Sequence, residues 1–411
     1  MKQFLMCSAA MIAVAAPSAA FAQSTGSIDF EDTIIVTGAK VGKGVGGVVL
    51  PDTTKAKGVI TQELIAKQGS GNTILNAINL IPGVSFQNND PYGSAGGQLN
   101  IRGFGPDRVS LTFDGMPLND TGNYAIYSNQ QLDPELIEEI NVNLGSTDVD
   151  SPTAAASGGT VNYRSIQGSD DFKVTMVGAA GDYDFFRLFG LVETGVFTPF
   201  GTKAWFSAST TRNDNVFNNF GQIDKQQYNA KIYQPIGSNG DFISVAGHWN
   251  ANRNNFFGSL PLRVDTDQGR VAGPNSSNRY PITKDERFYT IPACTLPAGG
   301  PGAQAAGTCG TLFDYRFNPS NTGNIRINSR FALTDSLTLT VDPSYQYVKA
   351  NGGGTSTARE GFFDLDAGSG TQNVVGFFGG APYFGRDLNG DGDILDQVNV
   401  LSPSQTTTDR Y

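Results

Sequence analysis

The chain has 411 residues, and its 28 basic and 38 acidic side chains give a net charge of −10. It contains no basic cluster of the kind that nucleic-acid binding requires, so we expect no nucleic-acid partner. After the first 22 residues it contains no apolar run that resembles a transmembrane helix. Therefore, if the protein lies in a membrane, a closed β-barrel is the architecture that remains.

The first residues have the pattern of an export signal. Met1-Lys2 supplies a basic start, an apolar Ala-rich stretch runs from Phe4 to Ala16, and Ala20-Phe21-Ala22 offers a small-x-small cleavage site. The apolar stretch is too short to span a bilayer. We therefore predict a signal peptide over residues 1–22 and a mature chain that begins at Gln23.

Two cysteines remain after that cleavage. Cys294 and Cys309 both lie in a stretch rich in Gly, Pro and Ala. Export to an oxidising compartment favours a disulfide between them over a metal site, because no other cysteine and no nearby histidine could complete a ligand set.

Residues 166–411 show period-2 alternation of apolar and polar residues, which is typical of strands. Seven such segments are visible, centred on Phe172–Met176, Phe186–Val192, Ala204–Ser209, Tyr228–Ile232, Ile243–Trp249, Ile325–Asn328 and Leu337–Asp342. Every second connection between them is short, and all the long connections fall in the other set. A soluble sandwich has no reason for that asymmetry, whereas a transmembrane barrel has short turns on one side and long extracellular loops on the other.

Residues 46–165 have a mixed pattern that predicts a small α+β domain. Thr61 can cap a short helix through Lys67, Asn72 can cap a second helix, and Asp133-Pro134-Glu135 has the composition of a third helix start. Strand-like runs follow or separate these helices, at Leu99–Arg102, Val109–Phe113, Ile140–Leu144 and Thr160–Tyr163.

The leader over residues 23–45 contains a short β-prone stretch that could pair with the sheet edge of another protein. Its sequence is Glu31-Asp32-Thr33-Ile34-Ile35-Val36-Thr37-Gly38. This stretch resembles the TonB box of TonB-dependent outer-membrane receptors. The alternative is an ordinary first strand of the following domain.

The domain after the leader is similar to the plug of the same receptor family. The similarity rests on the runs Asn72–Val84, Asn100-Ile-Arg-Gly-Phe-Gly105, Phe113-Asp-Gly-Met-Pro-Leu118, Ile137–Val142 and Gly158–Tyr163. It implies an α+β plug followed by antiparallel strands of a transmembrane β-barrel. In that family, arginines such as Arg102 and Arg164 often pair with barrel-wall carboxylates, and the alternative is that both lie at solvated strand ends.

The resemblance also implies a location and a mechanism. The barrel would lie in the lipid of a Gram-negative outer membrane, with the leader and plug facing the periplasm. A small extracellular ligand, such as an iron–siderophore, a vitamin or an oligosaccharide, would bind outside. The periplasmic domain of TonB would then pair with residues 32–38 and displace the plug. No cofactor or enzymatic activity is implied.

The number of strands predicts that the barrel wall is partial. Seven strands and the start of an eighth near Thr406 would leave open edges, which lipid does not tolerate. Barrels that enclose a plug have about 22 strands. We therefore expect residues 166–411 to be part of a larger wall.

One late loop has the spacing of a calcium site. Oxygen ligands stand at alternate positions in Asp387, Asn389, Asp391 and Asp393, with Gly392 in the sixth position and Asp396 nearby. The pattern departs from an EF-hand because Val398 stands where the bidentate glutamate is expected. The alternative is a solvated acidic loop.

Two other function classes are compatible with parts of the sequence. A passive barrel or adhesin with a structural N-terminal domain would share the strand pattern, but it has no use for the leader strand. A secreted carbohydrate-active enzyme would need a catalytic pair of carboxylates, which we do not find. An importer is therefore the preferred interpretation.

Overall fold

The computed structural model describes residues 42–43, 48–50, 56–88, 90–94, 97–120, 126, 132–145, 147, 151–214, 222–254 and 319–359, and the backbone of strands within 362–410. Within these residues no helix combines the length and the apolar character that a membrane crossing needs. The described residues form two main sheets, one of seven strands and one of 11 strands.

The seven-stranded sheet forms the N-terminal domain, and its strand order is β1-β2-β3-β8-β9-β6-β7. All its neighbours are antiparallel except β6 and β9. A separate hairpin, β4 with β5, packs beside it. In chain order the strands are β1 (Gly42–Lys43), β2 (Val49–Leu50), β3 (Lys57–Thr61), β4 (Val84–Asn88), β5 (Gly97–Ile101), β6 (Val109–Phe113), β7 (Met116–Pro117), β8 (Ile137–Leu144) and β9 (Gly159–Ser165).

Two short helices cover this sheet. Helix α1 spans Gln62–Ala66 and helix α2 spans Ile74–Ala77, followed by a 3₁₀ turn over Ile78–Leu80. Ile74, Ile78 and Ile81 are buried, as predicted from their spacing. They join the apolar faces of β6, β8 and β9 in one core that reaches 0% exposure at Leu111, Ile140 and Val161.

Two predicted helix starts differ from the structure. The cap of α2 is Thr73, not Asn72, because the Thr73 N–H donates to Asn76 Oδ1 at 3.0 Å. Asp133-Pro134-Glu135 begins only one 3₁₀ turn, over Pro134–Leu136, and β8 starts directly after it. The Asp133 side chain makes no cap hydrogen bond, because it points away to the larger sheet.

The 11-stranded sheet, called here the large sheet, is an antiparallel meander in which consecutive long strands are neighbours. Its long strands are β10 (Phe172–Gly181), β11 (Phe185–Val196), β12 (Lys203–Asp214), β13 (Gln222–Ile236), β14 (Asp241–Asn254), β15 (Ser320–Thr334), β17 (Ser344–Arg359) and β22 (Gln397–Arg410). The short strands β20 (Gly376–Phe378) and β21 (Ala381–Tyr383) extend it from β17, and β18 (Phe362–Phe363) and β19 (Asn373–Val374) form a separate pair. Strands β11 to β15 each form hydrogen bonds to the N-terminal domain. This architecture confirms the predicted fold class.

The later part of the large sheet differs from the predicted segments. The seventh predicted strand is reduced to β16 (Leu337–Leu339), which folds back on β15. The sheet continues instead through β17 and β22, which pair from Gln346↔Arg410 to Arg359↔Gln397. Their polar and Gly-rich sequences lack the alternation on which the prediction relied. Residues 349–403 were therefore predicted to be a loop, and only the last part of β22, near Thr406, was predicted as the start of a strand.

The two faces of the large sheet have opposite polarity. Its outer face exposes apolar side chains, whereas its inner face buries polar ones against the N-terminal domain. A soluble sheet has the reverse arrangement, and a sheet that faces lipid has this one. The outer side chains include Phe186, Leu188, Val192, Phe206, Ile232, Val245 and Ile325, and the inner ones include Ser207, Ser209, Gln227, Asn229, Asn250, Asn252 and Asn324.

This polarity predicts that a charge on the outer face is destabilising in lipid. Leu188→Arg places a guanidinium on that face, which costs about 2–4 kcal/mol near the centre of a bilayer. Urea unfolding of the protein in lipid vesicles should therefore give a lower midpoint for this variant. Ser238→Arg, in the exposed turn between β13 and β14, is the matched control. Equal midpoints for the two variants would contradict a lipid-facing surface.

Candidate functional site

The first contact between the two sheets is built around Asp114, at the turn between β6 and β7. Asp114 and Gly115 have φ of 45° and 81°, which are the left-handed values of a tight two-residue hairpin. Asp-Gly suits this turn because glycine adopts positive φ at no steric cost. The turn projects the Asp114 carboxylate towards the inner face of the large sheet.

Two residues bind the Asp114 carboxylate directly, and a third supports one of them. Arg326 of β15 donates from Nε at 2.8 Å and lies 2.7 Å away through Nη2. Ser165 donates from its backbone N–H at 2.8 Å and from its hydroxyl at 2.7 Å. Lys231 of β13 donates to that hydroxyl at 3.0 Å. Since Asp114 and Arg326 are each 2% exposed, this ion pair lies entirely between the two sheets.

The surroundings of Asp114 keep it ionised. Burial by itself raises the pKa of a carboxyl, because it disfavours the charged form. Here Arg326, Lys231 and the hydrogen bonds from Ser165 outweigh burial and lower the pKa of Asp114 from 3.8 to about 2. The carboxylate is therefore charged throughout the physiological pH range.

The second contact is built around Arg187 of β11, on the inner face of the large sheet. Its guanidinium donates to both oxygens of Glu135, at 2.7 Å each, and to Asp133 at 3.0 Å. The Ser209 hydroxyl donates to the other Asp133 oxygen at 2.6 Å. The Asp133 backbone N–H donates to Gln227 at 3.0 Å. Two carboxylates of the N-terminal domain therefore converge on one arginine fork.

The two contacts lie at different levels of the large sheet. The register places Arg187 opposite Thr211 and then Lys225, whereas it places Lys231 opposite Ala246 and then Arg326. Six residues separate Lys225 from Lys231 along β13, which corresponds to roughly 20 Å. We call these levels the Arg187 cluster and the Asp114 cluster.

Uncharged polar side chains fill the inner face between the two clusters. Gln227 donates to Asn250 at 3.3 Å, Asn250 donates to Thr322 at 3.3 Å, and Asn229 donates to Ser207 at 3.3 Å. All five are buried. Apolar contact is confined to a few positions, such as Trp205, whose indole N–H donates to the Ile166 carbonyl at 3.0 Å.

The structure places the two predicted contact arginines within the N-terminal domain. Arg102 has φ of 50°, and its backbone N–H donates to the Gly83 carbonyl at 2.7 Å. Arg164 lies 3.3 Å from Glu138 and 3.7 Å from Glu139, both of the same domain. Pairing of either arginine with a barrel-wall carboxylate therefore stays a prediction.

The other predicted site residues lie outside the described residues. These are the leader strand Asp32–Gly38, the cysteines Cys294 and Cys309, and the calcium loop with Asp387, Asn389, Asp391, Asp393 and Asp396. Within the described part of the chain, no group of three or more acidic, histidine or cysteine side chains could hold a metal ion.

Sequence reasoning missed the charged residues that join the two sheets. Arg187, Lys231 and Arg326 alternate with outward apolar residues, so they share the phase of the inner face. A cation on a buried face needs an acidic partner. The sequence alone could therefore have indicated that these three cations form buried ion pairs. Their partners could not be identified, because Asp114 and Arg326 are 212 residues apart.

Comparison with known families gives the N-terminal domain an identity. Residues 50–160 match the family model described as TonB-dependent Receptor Plug Domain. Residues 50–160 form a TonB-dependent receptor plug domain. The plug domain thus lies against the polar face of the large sheet, and the match confirms the family resemblance seen in the sequence.

Two curated relatives are named as receptors. The chain is 26% identical to the Ferrienterobactin receptor of Escherichia coli strain K12 over 204 residues, and 32% identical to the Ferric enterobactin receptor of Pseudomonas aeruginosa over 120 residues. These stretches cover 40% and 28% of this chain. They span only 25% and 15% of the respective receptors.

Solved structures share the fold. The ferric-catecholate import receptor Fiu of Escherichia coli, in its open form, superposes with a TM-score of 0.55 at 15% identity, over 87% of this chain and 45% of that one. The siderophore receptor PiuA of Acinetobacter baumannii gives 0.52 at 15% identity, over 88% of this chain and 55% of that one. At this identity the likeness concerns the fold alone.

The low pKa of Asp114 predicts an acid-sensitive contact. A carboxyl whose pKa is lower in the folded than in the unfolded protein adds stability above the unfolded pKa, and that stability is lost as the pH falls through the folded pKa. For Asp114 we expect about 2 kcal/mol, present above about pH 5 and lost progressively towards pH 2. Asp114→Asn should remove this part of the pH dependence.

Urea titrations between pH 7 and pH 3, followed by tryptophan fluorescence, measure this effect. Trp205 is a suitable reporter because it lies between the plug domain and the large sheet. Asp107→Asn is the control, since Asp107 is half-exposed and pairs only loosely with Arg108, at 3.5 Å. A pH profile of Asp114→Asn that matches the wild type would refute the assignment.

Removal of the cation from the Arg187 cluster should cause a large loss in the free energy of unfolding. Arg187→Leu leaves Asp133 and Glu135 with uncompensated buried charge, which costs about 3–5 kcal/mol. Lys203→Ala removes a cation whose partner Asp170 is 80% exposed, and it should cost no more than about 1 kcal/mol. Urea midpoints of the two variants give the comparison. Equal losses would show that Arg187 contributes no more than a surface pair.

Proposed function

We propose that the protein is an outer-membrane receptor that takes up an iron–siderophore complex by TonB-dependent, energy-coupled displacement of its plug domain. The observation that carries this proposal is the pairing of a plug domain with the polar inner face of a sheet whose outer face is apolar. The relatives named as ferric enterobactin receptors support an iron chelate over a vitamin or an oligosaccharide.

The surface of the large sheet supports a membrane location. Outward Phe, Leu, Val and Ile side chains cover several neighbouring strands, and such a band is stable only in contact with lipid or another apolar surface. Short connections close one end of the sheet, as between β13 and β14. We infer that this end faces the periplasm, together with the leader, and that the protein acts as a transporter rather than an enzyme.

The chemistry of the interface supports displacement. Buried amides and ion pairs hold the plug domain through discrete hydrogen bonds. When water enters, it replaces such bonds at small net cost, since each exchanged hydrogen bond is worth only about 1 kcal/mol. An apolar interface of the same extent would resist separation throughout. The plug domain can therefore leave the large sheet with exposure of only a few apolar contacts, such as those of Phe189, Leu191 and Trp205.

Strand topology supports coupling through the leader. β3 follows the leader and pairs with β8 from Lys57↔Asn143 to Thr61↔Glu139. The 3₁₀ turn before β8 carries Asp133 and Glu135, and Gln62 donates to the Glu135 carbonyl at 3.3 Å. We propose that TonB pairs with residues 32–38 and that its pull reaches the Arg187 cluster by this route.

The leader strand distinguishes this proposal from a passive barrel or adhesin. Deletion of residues 31–38 should abolish uptake of radiolabelled ferric enterobactin by cells but leave its binding unchanged. Ile35→Pro should reduce uptake more than Ile35→Ala, because proline removes a backbone donor from the paired strand. Binding of the same ligand at 0 °C is the control. Uptake that survives the deletion would favour the passive alternative.

A further inference from the structure

A small cavity lies between the plug domain and the large sheet, between the levels of the two charged clusters and nearer to the Asp114 cluster. Its volume is about 10 Å³, which is close to the space that one water molecule occupies. The plug domain contributes only apolar side chains to it, and the large sheet contributes polar ones. The lining residues are Leu118, Leu132, His248, Thr322, Gly323, Asn324 and Gln346.

Two polar atoms of the lining residues have no protein partner among the described residues. They are His248 Nε2 and Gln346 Oε1. His248 is 7% exposed and Gln346 is 5% exposed, so bulk water does not reach them. A buried acceptor without a donor costs about 1–3 kcal/mol. Such atoms beside a cavity of this size indicate a bound donor.

The hydrogen bond on the other side of the ring fixes the histidine tautomer. His248 Nδ1 lies 2.6 Å from Asn229 Oδ1, and the amide nitrogen of Asn229 donates to Ser207 at 3.3 Å. The amide oxygen of Asn229 therefore faces the ring and can only accept. With the Asn229 amide in this orientation, Nδ1 carries the proton, and Nε2 is left as an acceptor in the neutral ring.

The register places the two acceptors on opposite sides of Asn324. His248 lies opposite Asn324, and Asn324 lies opposite Gln346. Two strand spacings separate the backbones of His248 and Gln346 by roughly 10 Å, and both side chains line the cavity between them. A water molecule has two hydrogens, which matches two acceptors on either side of one small cavity.

We propose that one buried water molecule binds in this cavity and donates to His248 Nε2 and to Gln346 Oε1, with His248 held as the neutral Nδ1–H tautomer. The water fills the gap between the inner face of the large sheet and the Leu118 and Leu132 side chains. It donates hydrogen bonds to these two acceptors of the large sheet and makes no hydrogen bond to the plug domain.

This site deepens the proposed function, on which its role in uptake rests. At this level the plug domain offers leucine side chains instead of hydrogen-bond partners. When the plug domain moves, the bridging water stays on the sheet and no polar bond between the two is broken. The site therefore adds no polar bond between the two layers to the resistance against displacement.

The experiment uses the protein labelled with ¹⁵N-histidine, carrying a purification tag free of histidine. His248 is the only histidine of the sequence, so each ring nitrogen gives one signal. We expect a protonated Nδ1, an unprotonated Nε2 that accepts a hydrogen bond, and a magnetisation transfer from long-lived water to the ring. A protonated Nε2, or a ring without contact to such water, would overturn the proposal.

Gln346→Leu tests the second acceptor. It removes one of the two bonds that hold the water, so the Nε2 signal should move downfield and the water contact should weaken. Gln226→Leu is the matched control, since Gln226 lies on the outer face of β13, the strand next to the one that carries His248, and it should leave both signals unchanged. An identical spectrum for Gln346→Leu would overturn the bridge.

These readouts are independent of transport. If Gln346→Leu fails to fold, the tautomer and water contact of the wild-type protein decide the matter alone. If the spectra agree with the proposal but deletion of residues 31–38 leaves uptake intact, only the proposed function fails. If uptake depends on the leader but the ring shows a protonated Nε2, only the water site fails.

Discussion

The structure depends on one constraint, which is that the inner face of the large sheet is polar and must be satisfied without bulk water. Side chains alternate along a strand, so every second residue of β11 to β15 lies on the inner face when the residues between them form the apolar outer face. On the inner face these strands carry Arg, Lys, Asn, Gln, Ser and His. Buried groups of this kind need partners. The plug domain supplies some of them, and hydrogen bonds between side chains of neighbouring strands supply others. The position of the plug domain against the large sheet is therefore determined more by hydrogen bonds than by apolar burial.

The charges at the interface are sorted by layer. The plug domain contributes the acids Asp114, Asp133 and Glu135, and the large sheet contributes the cations Arg187, Lys231 and Arg326. Such sorting attracts the plug domain to its own sheet and disfavours contact between two plug domains or two sheets. It also makes the contact reversible, because both layers regain hydration when they part. Two buried clusters can then hold the plug domain firmly while the sheet between them contributes little resistance.

The sequence predicted elements whose signals are local. The run Val109–Phe113 was predicted with the bounds that β6 has in the structure, and the alternation of β11 to β15 identified the wall strands. Asp133 was misassigned because a cap residue and an ion-pair residue look alike until the fold is known. β17 was missed because its Asn- and Gly-rich sequence has no apolar phase, and its place is set by its neighbours. The clusters themselves depend on distant pairs, which no local pattern encodes.

The order of strands in the plug domain gives the two clusters unequal mechanical positions. In the order β1-β2-β3-β8-β9-β6-β7, the leader enters at one edge. Asp133 and Glu135 precede β8, one strand beyond β3, whereas Asp114 lies at the opposite edge, in the β6–β7 turn. A force on the leader therefore loads the Arg187 cluster before it loads the Asp114 cluster. The Asp114 carboxylate also receives two hydrogen bonds from Ser165 of its own domain. Under such a force the plug domain would rotate about the β6–β7 edge of its sheet, which carries Asp114.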